Sequence, residues 1–279
     1  MIRVVLLGRT ANNLFQYALG RVLAAKHSVP LVLDGSWFNA GSWSEVSHFL
    51  RLPHRARVVR RLSLGSRALR KLTGKHHWEY RGVPVLKEDP VDKSFDPRFL
   101  DAPSDCVLFG YFQTPLYFES IADELRAELK GLIGSTADGS GGIAGQLASG
   151  DSVAVHVRRQ DYLDHPAFQV CDRNYFESSM RTMRERLANP RFFVFSDDPE
   201  WCRENLAGPD IEIVDSGAKA LNPLHDLRLM SLAKHHVVAN SSYSWWAAWL
   251  ADKPEQQVIM PDHWFASDIV APMAEKRWK

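Results

Sequence analysis

The sequence has no long apolar run. No stretch reaches the ~18–20 apolar residues that span a bilayer. The opening segment Ile2-Arg3-Val4-Val5-Leu6-Leu7-Gly8 is too short for the apolar core of a signal peptide and suits a buried strand. Cysteine is scarce: Cys106, Cys171 and Cys202 are far apart, odd in number and without a C-x-x-C pair. That argues against a disulfide framework and paired zinc ligands, and predicts reduced thiols in a cytosolic protein. Excess charge of one sign is missing too. A formal net charge of +1 gives no global pull toward nucleic acid. There is no G-x-G-x-x-G, no Walker loop and no nucleophile elbow, which disfavours nicotinamide oxidoreductases, P-loop kinases and serine hydrolases.

What is present is a globular mix, 45% hydrophobic and 24% charged over 279 residues, enough for one large domain or two ordinary ones. Val4–Leu7 reads as a strand that breaks at Gly8. Asn13 to Ala24 follows with helical spacing, and Val29 to Asp34 as a second strand. Strand, loop, helix, strand is the parallel βαβ unit, whose ligands sit at the strands' carboxyl ends. Val107 to Phe112 is another buried strand and Glu119 to Lys130 a helix. The glycine- and serine-rich Gly134 to Gly142 reads as an interdomain linker. Strands then recur at Val153–Val157, Phe192–Phe195, Ile211–Val214, Val237–Ala239 and Val258–Met260. The helices between them run over Tyr175–Leu187, Pro199–Leu206, Pro223–Lys234 and Trp245–Leu250. This alternation predicts an α/β chain in two Rossmann-type domains with parallel sheets: 1–133, a flexible linker over 134–150, and 151–279. The basic run Arg51–Lys75 reads as a solvated amphipathic helix pair, or as a patch for an anionic membrane surface or acceptor.

Five clusters carry candidate chemistry. His156-Val157-Arg158-Arg159-Gln160-Asp161-Tyr162 follows a strand, where a guanidinium can fork onto a pyrophosphate. Arg159 and Asp161 equally suit an ion pair that shapes the loop. Asn240-Ser241-Ser242-Tyr243-Ser244-Trp245-Trp246 opens a helix, and its hydroxyls and unpaired N–H groups suit an anion. Simple capping by Ser242 or Ser244 is the plainer account, and the tryptophans suit core packing. Ser196-Asp197-Asp198-Pro199 reads as a helix start, with a magnesium-binding acidic pair as the alternative. Asp226, near a helix start, suits either a dipole-favoured surface acid or a hydrogen-bonding partner for a guanine edge. Asn12 and Gln16, beside the first strand's end, suit sugar hydroxyls or a turn with a cap.

Taken in order, these residues resemble glycosyltransferase family 11, the α-1,2-fucosyltransferases, over nearly the whole chain. The resemblance rests on Asn12 with Leu14-Phe15-Gln16-Tyr17-Ala18, on Gly110-Tyr111-Phe112-Gln113, on His156-Val157-Arg158-Arg159 with Asp161-Tyr162, and on Phe195-Ser196-Asp197-Asp198. It continues through Asp226 to His235, Asn240 to Trp246 and Pro261-Asp262-His263-Trp264-Phe265. The His-x-Arg-Arg-x-Asp core is shared more widely among fucosyltransferases; the Asn-Ser-Ser-aromatic-Ser-Trp-Trp run is narrower. Two stretches depart from the family pattern. The first loop, usually Gly-Gly-x-Gly-Asn-Gln, is here Gly8-Arg9-Thr10-Ala11-Asn12-Asn13, and Gln160 stands where Gly is usual.

The resemblance implies a GT-B-like pair of facing domains, with 1–133 on the acceptor side and 151–279 binding GDP-fucose as co-substrate, inversion at the anomeric carbon, and no cofactor or required metal. By that likeness Arg158 meets the β-phosphate, and His156 and Asp226 contact the nucleotide. Ser241, Ser242 and Ser244 line the donor pocket, with Asn12, Gln16, Arg159 and Asn240 in the same donor-binding set. Arg158, His156 and Asp161 form the catalytic set, with the general base left open between the last two. The expected reaction moves L-fucose to the 2-hydroxyl of a terminal β-galactoside on an oligosaccharide or glycolipid. The expected setting is the cytoplasm, with peripheral contact at a bacterial membrane through Arg51–Lys75, and no nucleic acid partner. Rival readings are another linkage or acceptor, or a GDP-sugar-binding protein without catalysis, motivated by the altered first loop.

Overall fold

The computed structural model describes residues 1–36, 38, 42–52, 56–59, 82–134, 142–215, 222–266 and 278. The chain divides into two compact units, Met1–Leu132 and Ile133–Lys279.

Unit 1 is built on five parallel strands: β1 (Ile2–Val5), β2 (Leu31–Asp34), β3 (Ala56–Val59), β4 (Val85–Lys87) and β5 (Cys106–Phe109). Their order is β3-β2-β1-β5-β4, so β1 is central. Val4 pairs with Leu33 on one side and Leu108 on the other. A strand covered on both faces reads as a continuous apolar run, and every residue of β1 is buried. Helix α1 (Thr10–His27) packs on this sheet through Leu14, Phe15, Ala18 and Leu19. Gly20 permits the approach, because a Cβ there would overlap the Val4 and Leu31 side chains. A single turn, α2 (Ser44–Ser47), follows, and later α3 (Ala122–Ile133). Arg21 pins α3 to α1, reaching Glu128 at 2.8 Å and Glu124 at 2.9 Å.

Unit 2 restarts with α4 (Gly142–Leu147), β6 (Ser152–Val157), α5 (Gln160–Leu163), α6 (Arg173–Arg186), β7 (Arg191–Ser196), α7 (Pro199–Asn205) and β8 (Ile211–Ile213). It closes with α8 (His225–Met230), β9 (His235–Val237), α9 (Ser242–Ala251) and β10 (Val258–Ile259). The sheet order is β10-β9-β6-β7-β8, again all parallel. Alternation along β6 sorts its side chains: Val153, Val155 and Val157 join a core with Phe176, Met180 and Met183 of α6. The tryptophans of α9 are core, as their spacing suggests. Trp245, Trp246 and Trp249 are buried, and Trp245 and Trp249 stack at 6.3 Å.

Four expectations need correcting. Within the basic run, Ala56–Val59 forms β3 rather than helix, because Val58 and Val59 are β-branched and pair beside β2. Arg51 is held by the Leu132 carbonyl at 2.9 Å, while residues 53–55 and 60–75 lie outside the described residues. Of the stretch read as linker, 135–141 lies outside the described residues. Residues 142–147 form α4 instead, with Ala144 and Leu147 buried against unit 2. The strand read to Phe112 ends at Phe109, since Phe112 has φ 54° and leaves the sheet. The helix read over 223–234 is the shorter α8. Among the described residues, no helix is long and apolar enough to cross a membrane.

Candidate functional site

The order β10-β9-β6-β7-β8 makes the chain reverse its direction of growth between β6 and β9. Open α/β sheets bind ligands outside the strands' carboxyl ends at such a switch point. His156 lies near the end of β6 and Arg158 to Asp161 follow it, while Asn240 to Ser244 follow β9. The two strongest sequence clusters therefore meet where the topology places a crevice.

Arg158 is the centre of the first cluster. Its side chain is 18% exposed and lies between Asp161 at 2.7 Å and Asp197 at 2.8 Å. It also faces the Tyr162 ring at 5.7 Å. Arg159 donates through Nε to Asp198 at 3.0 Å, and its guanidinium lies 3.9 Å from the Trp201 ring centroid. Its backbone N–H donates to Asp197 at 2.9 Å. The ion pairs are thus Arg158–Asp161, Arg158–Asp197 and Arg159–Asp198, not Arg159–Asp161. Three carboxylates face two guanidiniums, so the loop carries no surplus of positive charge. Asp198 also caps α7 by accepting from the Trp201 N–H, which is the helix start its position before Pro199 predicts.

His156 points to the other side of β6. It is buried, and its Nδ1 lies 3.0 Å from the Ser244 hydroxyl. Burial, followed by the nearby Arg158 charge, pushes its pKa down to about 3. This imidazole stays neutral near neutral pH and ties β6 to α9. His156 is thus enclosed between β6 and the start of α9. Ser244 lies at the same buried joint and also donates to the Ser241 carbonyl at 3.3 Å.

At the start of α9, Ser241 is the cap, accepting from the Tyr243 N–H at 3.4 Å. Ser242 is half-buried in the first turn. Asn240 is 3% exposed, and its amide donates to the Phe168 and Trp264 carbonyls at 3.0 and 3.1 Å. Both amide hydrogens thus hold loops together. Asp226 lies in the first turn of α8, 2.9 Å from His225 Nδ1 and 24% exposed. Tyr243 joins it to the rest: its hydroxyl donates to the Pro223 carbonyl and accepts from the Leu227 N–H, both at 2.9 Å. The Tyr243 ring lies 5.7 Å from His156.

Asn12 and Gln16 belong to unit 1. Gln16 is fully buried, accepts from the Leu7 N–H at 3.1 Å and donates to the Gly110 carbonyl at 2.9 Å. It clamps the turn after β1 to the turn after β5. Asn12 is half-buried and accepts from Gln113 Nε2 at 2.7 Å.

Sequence reasoning missed four participants. Asp197, Tyr162 and Tyr243 stand inside the quoted motifs, and their neighbours drew the attention. Tyr162 donates to the Asn240 carbonyl at 3.1 Å, bridging the two clusters. Trp201 carries no local signal, because its contact with Arg159 joins different loops.

Residues 92–278 match glycosyl transferase family 11. The chain is 34% identical over 165 residues to an Escherichia coli alpha-1,2-colitosyltransferase, covering 56% of this chain and 55% of that one. It is 26% identical to the E. coli O-antigen biosynthesis glycosyltransferase WbnK, over 97% of both chains. It is 31% identical to rabbit (Oryctolagus cuniculus) galactoside alpha-(1,2)-fucosyltransferase 1, covering 63% of this chain and 46% of that protein. The chain thus spans about half the length of the first and third of these relatives. Among solved structures it is similar to NodZ alpha-1,6-fucosyltransferase soaked with GDP-fucose, at a TM-score of 0.51 and 14% identity, covering 89% of this chain and 92% of that one. That likeness concerns the fold, which is an α/β fold of the GT-B type. With the match spanning most of its length, the chain belongs to glycosyl transferase family 11.

Proposed function

We propose that this transferase moves L-fucose from GDP-β-L-fucose to the 2-hydroxyl of a terminal β-galactoside, with inversion and without a metal or cofactor. The observation that carries the reading is Arg158 at the carboxyl end of β6. Asp161 at 2.7 Å and Asp197 at 2.8 Å hold its guanidinium at the switch point of the sheet. A guanidinium presented there can exchange those carboxylates for the oxygens of a diphosphate.

In the proposed step the acceptor oxygen forms a bond to the fucose anomeric carbon. The bond from that carbon to the β-phosphate oxygen breaks, and GDP and the acceptor's proton leave. Positive charge grows on the sugar, as in glycoside chemistry generally, and negative charge on the diphosphate. Arg158 and the N-terminus of α9 at Ser241 and Ser242 offset the latter. Asp226 contacts guanine. Arg159 stays with Asp198 and Trp201 and shapes the loop. Of the two base candidates, His156 is enclosed, whereas Asp161 is 43% exposed and keeps access to an acceptor.

A second donor follows from the colitosyltransferase relative. Colitose is fucose without its 3-hydroxyl, so a pocket that makes no demand on that hydroxyl accepts either sugar. The deciding experiment incubates the protein with lactose and either GDP-fucose or GDP-colitose, with and without EDTA, and measures GDP release and product linkage. Acceptor-dependent release that survives EDTA and puts fucose on the galactose 2-hydroxyl supports the reading. Release from GDP-colitose alone replaces the donor. A different linkage overturns the acceptor assignment, and GDP-fucose binding without release from any acceptor overturns catalysis.

A further inference from the structure

The motif Pro261-Asp262-His263-Trp264-Phe265 follows β10 and takes no part in the donor chemistry described so far. It is bonded to the loop that carries Tyr162. Trp264 is buried and anchors the segment, and the Ala266 N–H donates to the Ala167 carbonyl at 2.8 Å. The Asn240 amide serves both sides, donating to the Trp264 carbonyl at 3.1 Å and to the Phe168 carbonyl at 3.0 Å. The segments that follow β6, β9 and β10 are thus tied together at Asn240.

The loop so tied has little of its own to hold it. Helix α5 is a single turn, and residues 163–167 are all exposed; a helix this short does not persist without packing. The packing is a row of three half-buried rings. Phe265 lies 5.7 Å from Phe168, and Phe168 stacks on Tyr162 at 5.0 Å with 29° between the planes. Ring pairs of this kind stabilise beyond the area they bury. At its far end Tyr162 donates its hydroxyl to the Asn240 carbonyl at 3.1 Å. Burial pushes the Tyr162 pKa up to about 12, so the hydroxyl keeps its proton and remains a donor. The Arg158 guanidinium lies 5.7 Å from the centre of that ring.

Two carboxylates, Asp161 and Asp197, stand at almost equal distance from Arg158, so charge alone does not choose one direction for its fork. The Tyr162 ring does, because a guanidinium at this distance is drawn to the ring face. That ring is placed from behind by Phe168 and Phe265. Arg159 stands outside the row, on Asp198 and the Trp201 ring. We propose that Phe265 is a positioning residue: through Phe168 and Tyr162 it sets the direction in which Arg158 presents its guanidinium. That a diphosphate receives the guanidinium rests on the transferase reading above; the row of rings does not.

The test is a double-mutant cycle on the full chain: wild type, Phe265→Ala, Arg158→Ala and the pair, with GDP binding read by calorimetry and folding by thermal unfolding. Loss of one ring contact weakens GDP binding about five-fold in Phe265→Ala. The same substitution changes it by less than about two-fold in Arg158→Ala, where there is no guanidinium left to direct. Phe265→Tyr keeps the ring and stays near wild type. Phe168→Leu breaks the row one ring nearer to Arg158 and gives the same pattern, which covers the case of a Phe265→Ala protein that does not fold. Effects that simply add across the cycle overturn the proposal, as does unchanged GDP binding in Phe265→Ala. A second readout needs no ligand. The Nε–H resonance of Arg158, assigned by its absence in Arg158→Ala, shifts in Phe265→Ala and not in Phe265→Tyr, while that of Arg159 stays in place. If wild type binds no GDP, the transferase reading fails and this comparison alone decides. An unmoved Arg158 resonance, or equal shifts of both arginines, then overturns the proposal.

Discussion

Arg158→Ala perturbs the proposed donor site at its centre. The guanidinium lies between Asp161 and Asp197 at 2.7 and 2.8 Å, so its removal has two separable effects. As GDP departs, an oriented charge on the diphosphate is lost. Such a contact is worth ~3–4 kcal/mol of barrier, or roughly 10²–10³ in kcat. Locally, three carboxylates are left facing Arg159 alone, and loss of a partly buried pair of this kind costs about 1–3 kcal/mol of stability. Arg158→Lys separates the two, since it keeps the charge and loses the fork; its kcat falls between those of wild type and Arg158→Ala. The assay is GDP release at saturating donor and acceptor, with GDP binding by calorimetry and thermal unfolding alongside. A folded Arg158→Ala protein with kcat within about three-fold of wild type, under one kcal/mol of barrier, would refute the assignment.

Acid stability follows from the enclosed histidines. Burial holds His156 down to about 3 and His236 to about 4 from an ordinary 6.5. Below pH 6.5 the unfolded chain takes up protons that the folded chain refuses. Stability is therefore whole above that pH and falls as pH drops toward 4, by about 2 kcal/mol per histidine at pH 5. Denaturant melts at pH 5 and 7 check this, and His236→Gln should flatten the slope. Asn240→Ala leaves the Phe168 and Trp264 carbonyls without their amide partner; the expected loss is about 2–4 kcal/mol, read from urea unfolding.

The sheets were legible where burial on both faces made a strand's sequence uniformly apolar. β1, β6 and β7 are such strands, and each was placed within about two residues of its observed ends, the usual uncertainty of such bounds. β3 and β4 were not, because edge strands of three or four residues are half-exposed and carry Arg57 and Lys87. The same physics governs the site. The charged loop after β6 and the serines opening α9 announce themselves by composition, and the topology brings them together. The sequence does not reveal which members meet a ligand, because that depends on burial. Gln16 and Asn240 carry the amides expected of a sugar site, yet both are enclosed and bonded to backbone carbonyls.

That sorting by depth explains why the altered first loop is compatible with a working site. The family's glycines let bare backbone approach a ligand; here Arg9, exposed, and Ala11, buried, stand at two of them, and Asn13, in place of the glutamine, joins Gln16 in holding Leu7. Gly8 keeps the backbone bare at the surface, and Asn12 stays half-exposed beside it. Two of the three substitutions, Ala11 and Asn13, fall on the buried tier that fixes the turn, where any well-packed side chain serves. If this is right, Glu45→Ala, which removes the acceptor of the Thr10 N–H at 2.7 Å, loosens the α1 start and lowers thermal stability but leaves the lactose KM within about two-fold of wild type, a surface change of a few tenths of a kcal/mol. A large rise in lactose KM with unchanged stability would instead place Glu45 in contact with the acceptor, and the residues around the α1 start could no longer be assigned to fixing the turn alone.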